Sequence, residues 1–74
     1  MVTRTLRLNY PPSLVSQPVL YQLIRRFNLT VNIRRAQISL EEGWLEAEFT
    51  GEGTEIAEAT AWLEGQGVVV EALT

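Results

Sequence analysis

Residues 29–50 read LTVNIRRAQISLEEGWLEAEFT, and the fold class follows from their pattern of apolar and polar residues. In its second half Leu45, Ala47 and Phe49 alternate with large or polar residues, which are Trp44, Glu46, Glu48 and Thr50. A period of two predicts a strand with one face in the core and the other face away from it. The polar turn Glu41-Glu42-Gly43 comes before this strand, so the stretch is expected to fold as a β-hairpin.

The first strand of the hairpin, predicted for residues 29–40, changes its apolar phase near its middle. The apolar residues are odd-numbered before the middle and even-numbered after it: Leu29, Val31 and Ile33, then Ala36, Ile38 and Leu40. A slip of one residue turns every later side chain to the opposite face of a sheet. The sequence therefore predicts a β-bulge near Arg34-Arg35.

A strand and a helix precede the hairpin. Leu6, Leu8 and Tyr10 alternate with polar residues and predict a strand that Pro11-Pro12 ends, because proline donates no ladder hydrogen bond. A helix is expected to follow, with Pro18 in its first turn and Ser16 or Gln17 as its cap. Its apolar stripe has helical spacing and consists of Leu20, Leu23, Ile24 and Phe27. Asn28 is predicted to end it in the left-handed conformation.

A second helix and a last strand follow the hairpin. Thr54 is the predicted cap, and the apolar face of the helix is formed by Ile56, Ala59 and Leu63, with Trp62 beside it. Gly65 and Gly67 are expected to end the helix, and residues 68–73 form the strand. The order β-α-β-β-α-β predicts one α+β domain over residues 1–74. This is the ferredoxin-like fold, a four-stranded antiparallel sheet with two helices on one face.

The composition argues against an enzyme. Among the 74 residues there is no Cys, His, Lys or Asp, so the chain has no thiolate nucleophile, imidazole base or Schiff-base lysine. We accordingly expect no metal site and no cofactor. The loop after the first strand, residues 11–17, has neither the arginine nor the glycine that phosphatase chemistry on this fold requires.

Charge is divided along the chain. All six positive residues are arginines before Leu40, and all nine negative residues are glutamates after it, for a net charge of −3. Two interpretations of this division are possible: solvated faces of one domain, or a basic face that meets the acidic face of another copy.

The sequence also bears on nucleic-acid and membrane partners. Glu46 and Glu48 beside Trp44 would repel phosphates, so no nucleic-acid partner is expected. No apolar run approaches the roughly 20 residues of a membrane span, and the N-terminus lacks a signal-peptide pattern; a cytoplasmic location is expected.

Asn32 is the candidate binding residue, because it is a carboxamide between Val31 and Ile33 in an apolar run. One interpretation is that it alternates outward and meets water or a neighbouring strand. The other is that its donor and acceptor hold the ammonium or carboxylate of an amino acid while aliphatic neighbours take the side chain.

Several stretches carry a family resemblance: Arg25-Arg26-Phe27-Asn28, Asn32-Ile33, Ala36-Gln37, Ala61-Trp62-Leu63 and Gly67-Val68-Val69-Val70-Glu71. With these stretches in this order, residues 4–73 resemble the NIL domain, the regulatory domain at the C-terminus of bacterial methionine-importer ATPases. The resemblance implies an ACT-like fold that pairs with a second copy and binds methionine at the junction. The family's ligand-contacting asparagine falls on Asn32, and Val31 and Ile33 flank it.

The chain also departs from the transporter forms. It contains no Gly-rich phosphate loop with its lysine. Its short hairpin is similar to that of cyanobacterial NIL domains, which often precede an iron–sulfur module, yet there is no cysteine.

The sequence leaves two candidate functions open. The first is a non-enzymatic amino-acid sensor that binds L-methionine as a homodimer. The second is an interaction module that has lost the ligand and pairs with an iron–sulfur ferredoxin module or another protein, with Trp44 as its anchor. Trp44, Val69 and Leu73 point away from the core, and a homodimer would cover them.

Overall fold

A computed structural model describes residues 1–14, 17–39 and 41–74. Its elements follow the predicted order: β1 (Val2–Tyr10), a 3₁₀ turn (Pro12–Leu14), α1 (Val19–Arg26), β2 (Thr30–Ile38), β3 (Gly43–Gly51), α2 (Gly53–Gln66) and β4 (Val69–Ala72). The sheet order is β2-β3-β1-β4, and every pair is antiparallel. This confirms the predicted fold class and makes β2 one edge of the sheet.

The core lies between the sheet and the two helices. The predicted inward residues of β1 and β3 are buried, as are Ile56, Ala59 and Leu63 of α2. The largest fully buried side chains are Phe49, Leu8, Leu23, Leu63 and Val19. Each such side chain stabilises the fold by about 1.5–3 kcal/mol relative to an exposed position. The opposite face of the sheet has no helix over it among the described elements, and it carries the polar side chains.

The β-bulge is where the sequence predicted it. Ile33 lies opposite Ala47, but Arg35 lies opposite Glu46, so the pairing shifts between Ile33 and Arg35. Arg34 is therefore the extra residue of β2. Because of this shift, Ala36 and Ile38 return to the helix side of the sheet, as their changed parity requires.

The hairpin turn differs by one residue from the prediction. Gly43 belongs to β3, where it pairs with both Ile38 and Tyr10, and it is buried. The turn is closed by Ser39, whose backbone N–H donates to the Glu42 carbonyl at 2.8 Å and whose Oγ accepts from the Glu42 N–H at 3.1 Å. Leu40, the predicted last residue of β2, lies outside the described residues.

The C-terminal end and the buried side of α1 differ from the prediction. The helix ends at Phe27 in an extended conformation, with φ −121° and ψ 147°, and none of the described non-glycine residues has a positive φ. Asn28 is therefore not a left-handed stop; its backbone N–H instead donates to Glu55 Oε2 at 2.9 Å. Val19 is buried, whereas Ile24 is 46% exposed, because the helix turns its Val19–Leu23 side to the sheet.

The predicted N-caps of both helices are wrong, whereas the predicted end of α2 at Gly67 is confirmed. Pro18 occupies the N-cap position of α1 rather than its first turn, and no side-chain hydrogen bond caps that end. Ser16 lies outside the described residues. In α2 the N-cap is Glu52, so Thr54 lies inside the helix. Gly65 is also helical, and Gly67 alone ends α2, with a φ of 102° that glycine adopts without strain.

Candidate functional site

The face of the sheet without helices carries a network of charged side chains. Its centre is Glu46 on β3, which accepts from Arg35 Nε at 2.6 Å and from Arg7 Nη1 at 3.1 Å. The hydrogen bond from Arg35, assisted by that from Arg7, holds the pKa of Glu46 below its usual range, while Glu46 raises the pKa of Arg35. Arg7 also donates to Asn9 Oδ1 at 3.2 Å. Glu46 thus joins three strands.

Trp44, the predicted partner anchor, lies within this network. The Arg7 guanidinium carbon is 4.2 Å from the centre of the Trp44 ring, and that of Arg35 is 5.7 Å away. The indole is half-buried as a result. Two other apolar residues predicted on this side, Val69 and Leu73, are 60% and 45% exposed.

Asn32 lies on the same face, at the edge of the sheet. It is directly opposite Glu48, and its Nδ2 donates to Glu48 Oε1 at 3.4 Å. The other oxygen of Glu48 accepts from Arg34 Nη1 at 3.3 Å. We call these three side chains, Asn32, Arg34 and Glu48, the edge triad. Asn32 itself is exposed.

Val31 and Ile33 lie on the opposite face of the sheet from Asn32. Their backbone partners are Phe49 and Ala47, which point into the core. Val31 packs against the core, and Ile33, on the edge strand β2, is 50% exposed. Ile38 on the same side is 59% exposed. Within one chain, therefore, these three predicted site residues do not line a common cavity.

A cleft of about 550 Å³ lies between the outer sides of α1 and α2, and sequence reasoning did not identify it. Its lining residues are Tyr21, Gln22, Arg25, Arg26, Trp62 and Gln66. Arg25 Nη1 donates to the Tyr21 hydroxyl at 2.9 Å, and the Arg26 guanidinium lies 5.5 Å from the Trp62 ring centre. Within the described ranges neither arginine has a carboxylate within 4 Å. The sequence feature that could have indicated this cleft is the i, i+4 spacing of Tyr21 and Arg25, which places their side chains side by side on one helix.

Two further properties concern metals and membranes. No group of three or more Asp or Glu side chains in the part of the chain that the structure describes is arranged to hold a metal ion. Neither of the described helices has the length and apolar content needed to cross a membrane.

Comparison with known proteins matches residues 4–72 to the family described as NIL domain. The methionine import ATP-binding protein MetN of Burkholderia thailandensis is 42% identical over 73 residues, which cover 93% of this chain and 21% of that protein. MetN 1 of Paraburkholderia xenovorans is 40% identical over 73 residues, with the same coverage of 93% and 21%. The chain therefore spans about a fifth of the length of these curated relatives. Likeness to the cyanobacterial forms stays a prediction.

The fold has a counterpart of known structure. The C-terminal domain of an ABC transporter ATP-binding protein from Enterococcus faecalis aligns with a TM-score of 0.84 at 20% identity, covering 95% of this chain and 82% of that one. At this identity the likeness concerns the fold. The family match, by contrast, extends over nearly all of the sequence and includes every stretch that carried the resemblance. The chain belongs to the NIL domain family.

Proposed function

We propose that this domain is a non-enzymatic regulatory module that acts in the cytoplasm and binds a free amino acid, L-methionine, as a pair of copies. The observation that carries the proposal is the position of Asn32. It stands exposed on an edge strand at the position to which the family resemblance assigns the ligand contact. The names of the relatives, methionine import ATP-binding proteins, support methionine as the ligand.

The shape of the Asn32 surface supports a pair of copies. Small-molecule sites bury about 70–90% of their ligand, and the side of β2 that carries Asn32 is an open sheet face. A second surface is therefore needed to enclose a ligand there. The β2 edge offers unpaired backbone groups, and the exposed Ile33 and Ile38 add apolar area beside it. We place the junction of the two copies along β2.

We assign the domain a regulatory role because in its relatives it is part of a larger ATP-binding protein. In those proteins the matched region is a small part of a methionine import ATP-binding protein. A pair of domains that closes on methionine would report the concentration of the imported amino acid to such a partner. The fraction of paired domains then depends on ligand, as mass action requires.

The test is a two-dimensional NMR titration of labelled protein with L-methionine, with D-methionine and leucine as controls. Selective and saturable shifts are expected around Asn32. The Asn32→Ala variant should bind more weakly by about 1–3 kcal/mol, because a polar group of the ligand loses its partner. Unchanged affinity in that variant would remove Asn32 from the site, and the absence of shifts at millimolar ligand would contradict the sensor function.

The cleft between the outer sides of α1 and α2 favours a second candidate function, an interaction module for an acidic protein segment. Arg25 and Arg26 carry planar guanidinium groups that suit carboxylates, and they form a positive surface on a chain of net charge −3. The iron–sulfur partner expected for cyanobacterial forms belongs to this candidate. The test measures binding of a Glu-rich peptide to the wild type, to Arg25→Glu/Arg26→Glu and to Trp44→Ala. Loss of binding in the arginine variant, with binding retained in Trp44→Ala, would support the cleft as the binding site. Retained binding in the arginine variant would exclude the cleft.

A further inference from the structure

We propose that Glu48 and Arg34 complete the amino-acid site around Asn32, with Glu48 receiving the ligand's α-ammonium and Arg34 its α-carboxylate. This inference rests on the proposed function, because it assigns roles at the same site. It adds two residues that the sequence did not mark as ligand contacts: Glu48, which the pairing of β2 with β3 places opposite Asn32, and Arg34, which lies two positions further along β2.

The geometry brings all three groups of the edge triad to one place. Asn32 and Glu48 are direct cross-strand partners. Arg34 is the extra residue of the bulge, and its guanidinium reaches the far oxygen of the same carboxylate, 3.3 Å away. Glu48 thus lies between a carboxamide and a guanidinium on an accessible surface.

The chemistry of the triad matches a zwitterion. An α-ammonium has donors only and requires an acceptor, which a carboxylate supplies; an α-carboxylate requires donors, which a guanidinium supplies in a planar fork. A carboxamide offers one donor group and one acceptor, so Asn32 can bind either charged group. An amino acid inserted between Glu48 and Arg34 replaces their mutual contact with one contact to each.

The contacts of Glu48 leave it available for a ligand, unlike those of Glu46. The Glu48 side chain is 31% exposed, and its two hydrogen bonds are 3.3 and 3.4 Å long. The Glu46 side chain is 13% exposed and has a contact of 2.6 Å. Exposed ion pairs contribute little to stability, so opening the Glu48–Arg34 pair for a ligand costs the fold little. Glu46 and Arg35 serve the structure and provide matched controls.

The experiment compares variants against three ligands by isothermal titration calorimetry on the 74-residue chain. The ligands are L-methionine, L-methionine methyl ester, which lacks the carboxylate, and 4-(methylthio)butanoate, which lacks the ammonium. Glu48→Gln should weaken L-methionine binding about ten- to hundredfold but leave the affinity for 4-(methylthio)butanoate unchanged. Arg34→Gln should weaken L-methionine similarly and leave the methyl ester unchanged. Glu46→Gln and Arg35→Gln, confirmed as folded by NMR, should retain wild-type affinity.

Each alternative outcome has one meaning. If the wild type binds L-methionine and both Glu48→Gln and Arg34→Gln bind it equally well, the inference is overturned and the proposed function stands. If Glu48→Gln weakens L-methionine and 4-(methylthio)butanoate by the same factor, Glu48 does not recognise the ammonium and the inference is likewise overturned. If the wild type binds no amino acid, the proposed function and the inference both fall.

Discussion

The hydroxyl of Tyr10 is buried at the end of β1 and has no hydrogen-bond partner among the described residues. Burial raises its pKa, because the phenolate is disfavoured inside the protein. An unsatisfied buried hydroxyl destabilises the folded state, so Tyr10→Phe should leave the free energy of unfolding unchanged or raise it by up to about 1 kcal/mol. Urea unfolding at pH 7 measures this.

The same substitution should alter the response to alkaline pH. The folded-state pKa of Tyr10 exceeds its unfolded value, so the unfolded chain ionises first and wild-type stability declines above about pH 10. Tyr10→Phe should remove this part of the decline.

The exposed Tyr21 provides the control for the measurement at pH 7, since Tyr21→Phe is expected to change stability there by no more than about 0.5 kcal/mol. A loss above 1 kcal/mol in Tyr10→Phe would mean that the hydroxyl has a partner.

For single residues, the sequence predicted which face of the sheet a side chain lies on but not which side chains it contacts. The outward position of Asn32 in its strand is a matter of parity and could be predicted. Its contact with Glu48 could not, because the partner of a residue across a hairpin depends on the turn and on the bulge. Likewise the covering of Trp44 by Arg7 brings together residues from β1 and β3 that are far apart in sequence.

Glu46 connects three strands, because Arg7 is on β1 and Arg35 is on β2. Its pKa is lowered in the folded state, chiefly by the hydrogen bond from Arg35. The stabilisation is therefore complete above the unfolded pKa of about 4.3 and is lost as the pH falls through the lower folded value. Glu46→Gln should reduce the acid-side slope of stability against pH, measured by thermal unfolding between pH 2 and 6.

Arg35→Gln should reduce the same slope, since it removes the main cause of the pKa shift. If both variants retain the wild-type slope, the Glu46 contacts do not persist in solution. Adding Arg35→Gln to Glu46→Gln should change the slope little further, because Glu46→Gln alone already removes the carboxylate to which Arg35 donates.

Element types and order followed from periodicity, and the ends marked by Pro11 and Gly67 were also predicted, whereas the two helix N-caps and the end of α1 were not. Leu45, Ala47 and Phe49 alternate with polar residues because their side chains must face the core. The same requirement on β2 explains the change from odd-numbered to even-numbered apolar residues that located the bulge. The predicted stop at Asn28 failed because the backbone N–H of Asn28 is satisfied by a distant group, the Glu55 carboxylate. The buried side of α1 includes Val19 rather than Ile24, because packing on the sheet decides which side of a short helix is covered.

The pairing of two copies along β2 is testable on the whole molecule. Ile33 and Ile38 are exposed on the helix side of this edge strand, whereas Val69 is exposed on the far edge. Ile33→Glu should abolish the dimer, because it places a charge in the apolar part of the junction. Sedimentation equilibrium with and without L-methionine measures this. Val69→Glu is the matched control and should remain dimeric, because a junction along β2 leaves the β4 edge uncovered, in contrast to the expectation from the sequence that a homodimer covers Val69. A wild-type monomer at high micromolar concentration would contradict the pairing.

The strand order has a consequence for how the chain is made. Synthesis from the N-terminus delivers β1, α1 and β2 first, with all six arginines, yet β1 and β2 are not neighbours in the sheet. Only β3 lies between them, and it brings Glu46 and Glu48, the acceptors for Arg7, Arg34 and Arg35. A nascent chain that ends before Gly43, where β3 begins, therefore lacks both the strand that joins β1 to β2 and the carboxylates that pair with these arginines. β3 is thus the element that brings β1 and β2 into one sheet.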